Sequence, residues 1–250
     1  MRVYCETDKG LMRENNEDNY AVEESEVYNL YAVADGMGGH KAGEVASTIA
    51  VDTITDIFKK KIADGNFKAP QFIIESIDIA NKRVREESLK REEYSGMGTT
   101  ITMAVLDIEL KIAYIANVGD SRAYIIKDDE IFQVTEDHTY VNKLLKDGEI
   151  TLEESIHHPK RNVITRAVGS EEYVHADLFE IELVDNDIIL LCTDGLTRHL
   201  PDEEILNTIK EYGSSKSVQR LIKLANDNGG TDNITVIIVD NISRGEIYDR

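Results

Sequence analysis

The chain has 250 residues, of which 41% are hydrophobic and 30% charged, and its formal net charge is −20. This size and apolar content predict one large domain with a substantial core. The acidic excess argues against surfaces for nucleic acid or an anionic membrane, because both need basic patches. No segment approaches the ~20 apolar residues of a membrane span, and the first residues lack the apolar stretch of a signal peptide. We therefore expect a cytoplasmic protein, with a monomer as the default.

The first half of the chain predicts one strand followed by two helices. Residues 27–34 form an apolar run that is typical of a strand and ends at Asp35. Apolar side chains at helical spacing predict a helix over 41–62. Pro70 is in the favoured first-turn position of a second helix, which ends before Ser95.

Short β-branched runs follow and predict strands at 99–106, 111–118, 123–126 and 131–135. Turn-like residues at 107–109 and 127–130 predict antiparallel hairpins between neighbouring strands. Residues 178–184 and 188–192 flank the polar turn 185–187 and predict a further hairpin.

Two helices over 202–212 and 214–226, the first opened by Pro201, precede a last strand over 233–240. Strands joined by tight turns, with helices arriving in pairs, indicate an α+β fold. The order of the elements predicts a four-layer α-β-β-α sandwich, in which helical pairs flank two mainly antiparallel sheets.

Four short acidic segments lie beside apolar runs typical of strands. They are Glu17-Asp18, Asp35-Gly36-Met37-Gly38-Gly39, Thr193-Asp194-Gly195 and Gly229-Gly230-Thr231-Asp232-Asn233. A single Asp-Gly pair is a common turn signal, but four such segments are hard to explain as turns alone. Carboxylate and carbonyl oxygens suit hard divalent cations such as Mg²⁺ or Mn²⁺. These segments therefore indicate a metal centre.

Two divalent cations that share a bridging carboxylate can lower the pKa of water and polarise a phosphoryl group for in-line attack. Such a site also needs a cation that holds the free oxygens of the phosphate. Arg13 fits that role, because its planar guanidinium can bind phosphate through two hydrogen bonds. The alternative for Arg13 is a surface salt bridge to Glu14 or Glu17.

Six motifs in sequence carry a resemblance to a known family. They are Arg13-Glu14-Asn15-Asn16-Glu17-Asp18, Val33-Ala34-Asp35-Gly36-Met37-Gly38-Gly39-His40, Ser95-Gly96-Met97-Gly98-Thr99-Thr100, Asn117-Val118-Gly119-Asp120-Ser121-Arg122, Leu191-Cys192-Thr193-Asp194-Gly195-Leu196 and Gly230-Thr231-Asp232-Asn233-Ile234-Thr235. In this order they resemble the metal-dependent protein phosphatases of type 2C, in their compact bacterial form. The resemblance runs from about Thr7 to Asp240. It implies the same four-layer fold.

The resemblance assigns ligands to two tightly bound Mn²⁺ or Mg²⁺ ions. It implies that Asp35 bridges both ions. Asp194 and Asp232 would complete the coordination of one ion, directly or through water. Glu17 and the carbonyl of Gly36 would serve the other.

The resemblance gives two further carboxylates separate roles. Asp18 resembles the residue that hydrogen-bonds metal-bound water and so orients the nucleophile. Asp120 matches a position that holds, with Asp194, a third and weaker cation. The alternative for Asp120 is an ordinary turn cap.

The proton donor for the leaving group stays open at this point. Some members of the family have a histidine directly after the Asp-Gly pair, where this chain has Met37. His40, His138 and a metal-bound water are the candidates, and we favour water.

Residues 139–160 resemble a mobile flap that borders the catalytic cleft, and their charged, weakly apolar composition suits a surface segment. The alternative is a passive connection between strands. The resemblance implies a serine/threonine protein phosphatase that acts on phosphorylated proteins, with a Ser/Thr kinase and its targets as partners. The other functions considered are an inactive phosphatase-like binding module and a hydrolase of small phosphate esters or nucleic acid.

Overall fold

Two antiparallel sheets face each other in the computed structural model of this protein, which describes residues 1–38 and 42–242. The first sheet has the order β1-β11-β10-β7-β8, formed by Arg2–Asp8, Ile234–Asp240, Ile188–Cys192, Arg122–Lys127 and Glu130–Gln133. The second sheet has the order β2-β3-β5-β6-β9, formed by Asp18–Glu23, Tyr28–Met37, Ile101–Asp107, Ile112–Val118 and Asp177–Glu182. The short strand β4 (Gly98–Thr99) pairs with the end of β3.

Long helices cover the outer faces of the sheets. They are α1 (Ala42–Ala63), α2 (Ala69–Lys90) and α6 (Asp202–Asp227). The backbone of Gly213, at φ 69°, breaks α6 into two helical segments, which confirms the predicted pair of helices. Shorter helices are α3 (Tyr140–Lys146), α4 (Leu152–His157) and α5 (Asp194–Thr197). Within the described residues, no helix is both long and apolar enough to cross a bilayer.

Three apolar layers hold the elements together. Phe72 belongs to the layer between the second sheet and the helices α1 and α2. Tyr31 and Leu191 lie in the layer between the two sheets. Leu221 belongs to the layer between the first sheet and α6. Each of these side chains is fully buried. With an apolar layer between each pair of neighbouring layers, the order is helix, sheet, sheet, helix, as predicted.

The predicted hairpin around residues 185–187 is wrong. Strand β9 pairs with β6 in the second sheet, whereas β10 pairs with β7 and β11 in the first sheet. The turn therefore carries the chain from one sheet to the other. A turn sequence reports a local reversal but not the partner of the next strand. Strand β10 is almost wholly buried and takes a central place, while β9 alternates between exposed and half-buried residues at an edge.

Strands β1 and β2 have no counterpart among the sequence predictions, because polar residues interrupt both runs. Strand β1 pairs along its whole length with β11, and Arg2 donates to the Asp240 carboxylate over 2.9 Å. This pairing brings the segment after β1 beside the segment before β11. Residues from both ends of the sequence consequently meet at one edge of the sandwich.

Candidate metal centre

The edge strand β2 and its neighbour β3 place Asp18 and Asp35 side by side in the second sheet. Asp18 opens β2 and lies opposite Asp35 of β3 in the antiparallel register. The Asp35 N–H donates to the Thr100 hydroxyl over 2.8 Å, and its carbonyl accepts the Thr100 N–H over 2.9 Å. The main chain of Asp35 is therefore fixed, which leaves its carboxylate free for other partners.

Asp18 is held by the opposite sheet. Its Oδ2 accepts hydrogen bonds from the hydroxyl groups of Thr193, at 2.8 Å, and Thr235, at 2.7 Å. Its Oδ1 is buried and has no hydrogen-bond partner. Because Thr193 directly precedes Asp194, these bonds also fix the strand end that presents Asp194.

Glu17 and the carbonyl of Gly36 point to one place. The Gly36 N–H donates to the Glu17 carbonyl over 3.1 Å. A Cβ atom on Gly43 would lie 2.5 Å from Glu17 Oε2 and 2.7 Å from the Gly36 carbonyl oxygen. Glycine at position 43 therefore leaves room for these two oxygen atoms, which are predicted ligands of the same cation.

Asn233 ties the segment after β1 to the segment before β11. Its Oδ1 accepts the Glu17 N–H over 2.8 Å, and its Nδ2 donates to the carbonyls of Lys9, at 2.8 Å, and Asn15, at 2.9 Å. Gly10 has a φ of 77°, and a Cβ there would collide with the Asp232 carbonyl. These contacts fix the loop that carries Arg13 and Glu17 beside Asp232.

Two arginines form salt bridges to the carboxylate of Asp232, one to each oxygen. Arg13 Nη2 lies 2.8 Å from Oδ1, and Arg198 Nη1 lies 2.8 Å from Oδ2. Arg198 also pairs with Asp194. The salt-bridge alternative named Glu14 or Glu17 as the partner of Arg13, whereas the structure pairs Arg13 with a candidate ligand.

Sequence reasoning missed Arg198. The spacing in the sequence could have revealed it, because Arg198 follows Asp194 by four residues and lies directly after the last residue of the short helix α5. Residues at that spacing lie on the same side of a helix and can form an ion pair.

Burial and mutual repulsion oppose ionisation of the carboxylates. Burial raises the pKa of Asp18 to about 7 and that of Asp194 to about 6. Burial also raises the pKa values of Asp35 and Asp120 well above the ordinary range, and repulsion from Asp194 adds to both shifts. Burial likewise raises the pKa of Glu17. A compensating positive charge would favour the ionised form of every member of this cluster.

The donor set fits hard divalent cations. Buried carboxylate oxygens without a hydrogen-bond partner occur on Asp18, Asp120 and Asp194, and such atoms are costly unless a cation or a donor meets them. Among residues 1–38 and 42–242, no three acidic, His or Cys side chains already converge as a formed metal-binding group. The guanidinium groups of Arg13 and Arg198 hold two of the carboxylates instead.

Of the two histidines considered as proton donors, His138 is fully engaged. The Gly119 N–H donates to its Nδ1 over 2.9 Å, and its Nε2 lies 3.0 Å from the Asp177 carboxylate. The structure therefore removes His138 from the candidates. His40 lies outside the described residues.

A cavity of about 820 Å³ adjoins the carboxylates. Asp120, Asp194 and Arg198 line one side, and Leu152 and Ile156 of the predicted flap line the other. Residues 139–160 thus contribute side chains to the lining of this cavity. Their role as a mobile flap beside a catalytic cleft stays a prediction.

The family model, the related sequences and the related structures all point to one family. The family model described as protein phosphatase 2C matches residues 12–236. The serine/threonine phosphatase Stp of Listeria innocua is 38% identical over 243 residues, which cover 96% of each chain. A bacterial serine phosphatase of known structure has a TM-score of 0.89 at 37% identity and covers 99% of this chain and 100% of its own. The catalytic domain of the phosphatase PstP, solved with two manganese ions, has a TM-score of 0.82 at 33% identity and covers 96% and 97%.

Proposed function

The chain belongs to the protein phosphatase 2C family, and on that premise we propose that it hydrolyses phosphoserine and phosphothreonine in proteins, with divalent cations. The observation that carries this proposal is the buried carboxylate cluster, which presents unpartnered oxygens beside a large cavity. An inactive binding module is disfavoured, because Arg13, Glu17, Asp35, Asp194 and Asp232 are all retained.

The cations proposed are Mn²⁺ or Mg²⁺, two bound tightly and a third bound more weakly. Asp35 would bridge the tight pair, with Asp194 and Asp232 on one side and Glu17 with the Gly36 carbonyl on the other. The two manganese ions in the structure of PstP support this number for the tight pair. When bound, such ions lower the pKa of water and polarise the phosphoryl group.

The third cation is assigned to Asp120 and Asp194. Both have a buried, unpartnered Oδ1, and Asp194 is the carboxylate that most strongly raises the pKa of Asp120 by repulsion. A shared cation would relieve that repulsion.

The chain's own residues position the reactants. Asp18 is fixed by two threonine hydroxyls through Oδ2, so its free Oδ1 can accept a hydrogen bond from the attacking water and orient it. Arg13 is half-exposed at the rim of the site. It can exchange its contact with Asp232 for two hydrogen bonds to the phosphate, because the guanidinium fork matches that geometry.

The substrates proposed are phosphorylated proteins, and the partners are a Ser/Thr kinase and its targets. The acidic surface, with a net charge of −20, disfavours nucleic acid as a substrate. We further propose that the protein acts as a monomer in the cytoplasm.

The test compares a phosphothreonine peptide, an aryl phosphate and a nucleotide, each with Mn²⁺ and with excess chelator. We expect the peptide and the aryl phosphate to be hydrolysed only with Mn²⁺, and the nucleotide to be a poor substrate. Full activity in chelator would contradict the metal centre. Preferred hydrolysis of the nucleotide would instead favour the hydrolase of small phosphate esters, and binding of phosphopeptide without turnover would favour the inactive module.

A further inference from the structure

The backbone of Gly119, directly before Asp120, is held from several sides. Its N–H donates to the imidazole Nδ1 of His138 over 2.9 Å. Its carbonyl accepts the backbone N–H of His138 over 2.9 Å and the side-chain Nδ2 of Asn117 over 3.1 Å. Gly119 has a φ of 115°, and a Cβ there would collide with Thr100. The direction in which the chain enters Asp120 is therefore set by these neighbours.

The hydrogen bonds also determine the tautomer of His138. Because the Gly119 N–H donates to Nδ1, that nitrogen carries the lone pair, and the proton of the neutral ring lies on Nε2. The Nε2–H then donates to Asp177 Oδ2 over 3.0 Å. Asp177 is fixed in turn by Arg166, whose Nη1 lies 2.6 Å from Oδ1. Nδ1 of His138 thus accepts the Gly119 N–H, whereas Nε2 lies 3.0 Å from Asp177 Oδ2 and also 2.9 Å from Arg166 Nη1.

The ring is anchored to the sheet that carries Asp120. Asp177 lies opposite Asn117 in the register between β9 and β6, and Asp120 follows the end of β6. His138 is only 8% exposed, so the ring is closely packed between these anchors. A shift of the ring would move the Gly119 peptide and with it the Asp120 backbone.

We propose that His138 is a positioning residue for the weaker cation. Its imidazole holds the Gly119 peptide so that the unpartnered Oδ1 of Asp120 faces the place that it shares with Asp194. His138 would act through the Gly119 backbone, because both of its ring nitrogens already have protein partners. This role rests on the proposed function, which assigns the weaker cation to Asp120 and Asp194.

Two conservative variants separate the two ring nitrogens. Asparagine at position 138 places Oδ1 near the former Nδ1, so His138→Asn can still accept the Gly119 N–H while losing the bond to Asp177. Glutamine reaches the position of Nε2, so His138→Gln can keep Asp177 while losing Gly119. His138→Ala loses both bonds, and His175→Asn serves as a control at an exposed histidine.

The measurement is a calorimetric titration of the full-length chain with Mn²⁺, together with the melting temperature in chelator. We expect the two tight events to persist in every variant. The affinity for the third, weakly bound Mn²⁺ should fall about 10- to 100-fold in His138→Ala and His138→Gln, as for other residues that orient a metal ligand. The loss should be smaller in His138→Asn. In an Asp120→Ala background, His138→Ala should have no further effect on the cations.

Each alternative has a distinct outcome. If Asp120→Ala abolishes a weak event but His138→Gln leaves its affinity unchanged, the role of His138 is wrong and the proposed function stands. If the wild-type protein shows no weak event that depends on Asp120, the assignment of the third cation fails and the inference fails with it. Equal losses of the tight and weak events, with a lowered melting temperature and no recovery in His138→Asn, would reduce His138 to a residue that supports the fold.

Discussion

The carboxylate cluster and the flap segment, residues 139–160, line two sides of one cavity but are built in opposite ways. The cluster stands on buried strand ends, where hydrogen bonds such as those between Asp35 and Thr100 fix the main chain. In the flap segment, α4 has no buried residue and α3 has only Val141. The comparison indicates that the sheets hold the carboxylates in place, whereas the helices α3 and α4 bury few side chains that would restrain them.

The sharpest test of the rigid side is Asp35→Asn. Because this residue is proposed to bridge both tight cations, its loss should reduce turnover of an aryl phosphate ~100-fold or more. The matched control is Asp56→Asn, an exposed aspartate of α1 that should retain activity. If Asp35→Asn keeps about a third of the wild-type rate in steady-state assays, the bridging role is wrong.

Arg13 is half-exposed and pairs with Asp232 at the surface side of the rigid cluster. Arg13→Ala should raise KM and weaken inhibition by phosphate about tenfold, with the affinity for Mn²⁺ largely intact. Arg13→Lys should recover only part of this loss, because a point charge does not reproduce the two-pronged contact. The exposed Arg91→Ala is the control. Unchanged KM and phosphate inhibition in Arg13→Ala would make Arg13 a salt-bridge residue only.

On the flap side, Leu152 and Ile156 expose 67% and 58% of their surface and line the cavity one helical turn apart. Replacing both by serine should lower kcat/KM for a phosphopeptide about three- to tenfold, because apolar contact area is lost, and should spare a small aryl phosphate. Leu89→Ser, at an exposed residue of α2, is the control. An equal loss on both substrates would mean that the flap supports the cluster itself.

Substitutions of Arg198 test how far this side chain offsets the repulsion between the carboxylates of the cluster. In chelator, Arg198→Ala should lower the melting temperature by about 5 °C, because Asp194 and Asp232 both lose their salt bridge to the guanidinium group of Arg198. The rise in melting temperature on adding Mn²⁺ should then be larger than in the wild-type protein, since a competitor for both carboxylates is gone. Arg198→Lys should be intermediate. A smaller rise with Mn²⁺ in Arg198→Ala would show that Arg198 assists cation binding.

The last prediction concerns the dependence of stability on pH. Burial raises the pKa of Asp18 from 3.8 to about 7. A raised carboxyl pKa contributes stability that is complete below the unfolded value and is lost as the pH rises through the folded value. In chelator, the melting temperature of the wild-type protein should therefore fall relative to that of Asp18→Asn between pH 4 and 7, by about 5 °C. Parallel pH profiles of the two proteins would contradict the raised pKa.

The sequence predicted the four-layer fold and the segments that carry the cluster, because apolar periodicity and motif order are local signals. It did not predict β1 and β2, whose strand character depends on pairing with distant strands. It also assigned β9 and β10 to one hairpin, since a turn does not encode which sheet the chain enters.

The roles of Asn233 and His138 could not be deduced from the sequence for a related reason. Arg198 lies outside the motifs that mark the site, and only its spacing of four residues from Asp194 pointed to an ion pair. Asn233 and His138 lie in polar segments, but what they do depends on the loops that the fold brings against them. Such contacts between distant parts of the chain appear only when the whole backbone is placed.

Asn233 bonds a segment from the opposite end of the sequence, and this affects the order in which the site forms during synthesis. Asp18 and Asp35 leave the ribosome well before β11, which lies between β1 and β10 and is the last of the described strands in chain order. At ~5–20 residues per second, these early carboxylates wait on the order of ten seconds or more for their partners from the C-terminal part. Until then β1 lacks its neighbour, and the loop bearing Arg13 and Glu17 lacks its clamp. The candidate site therefore becomes complete only after Asn233 and β11 have been synthesised.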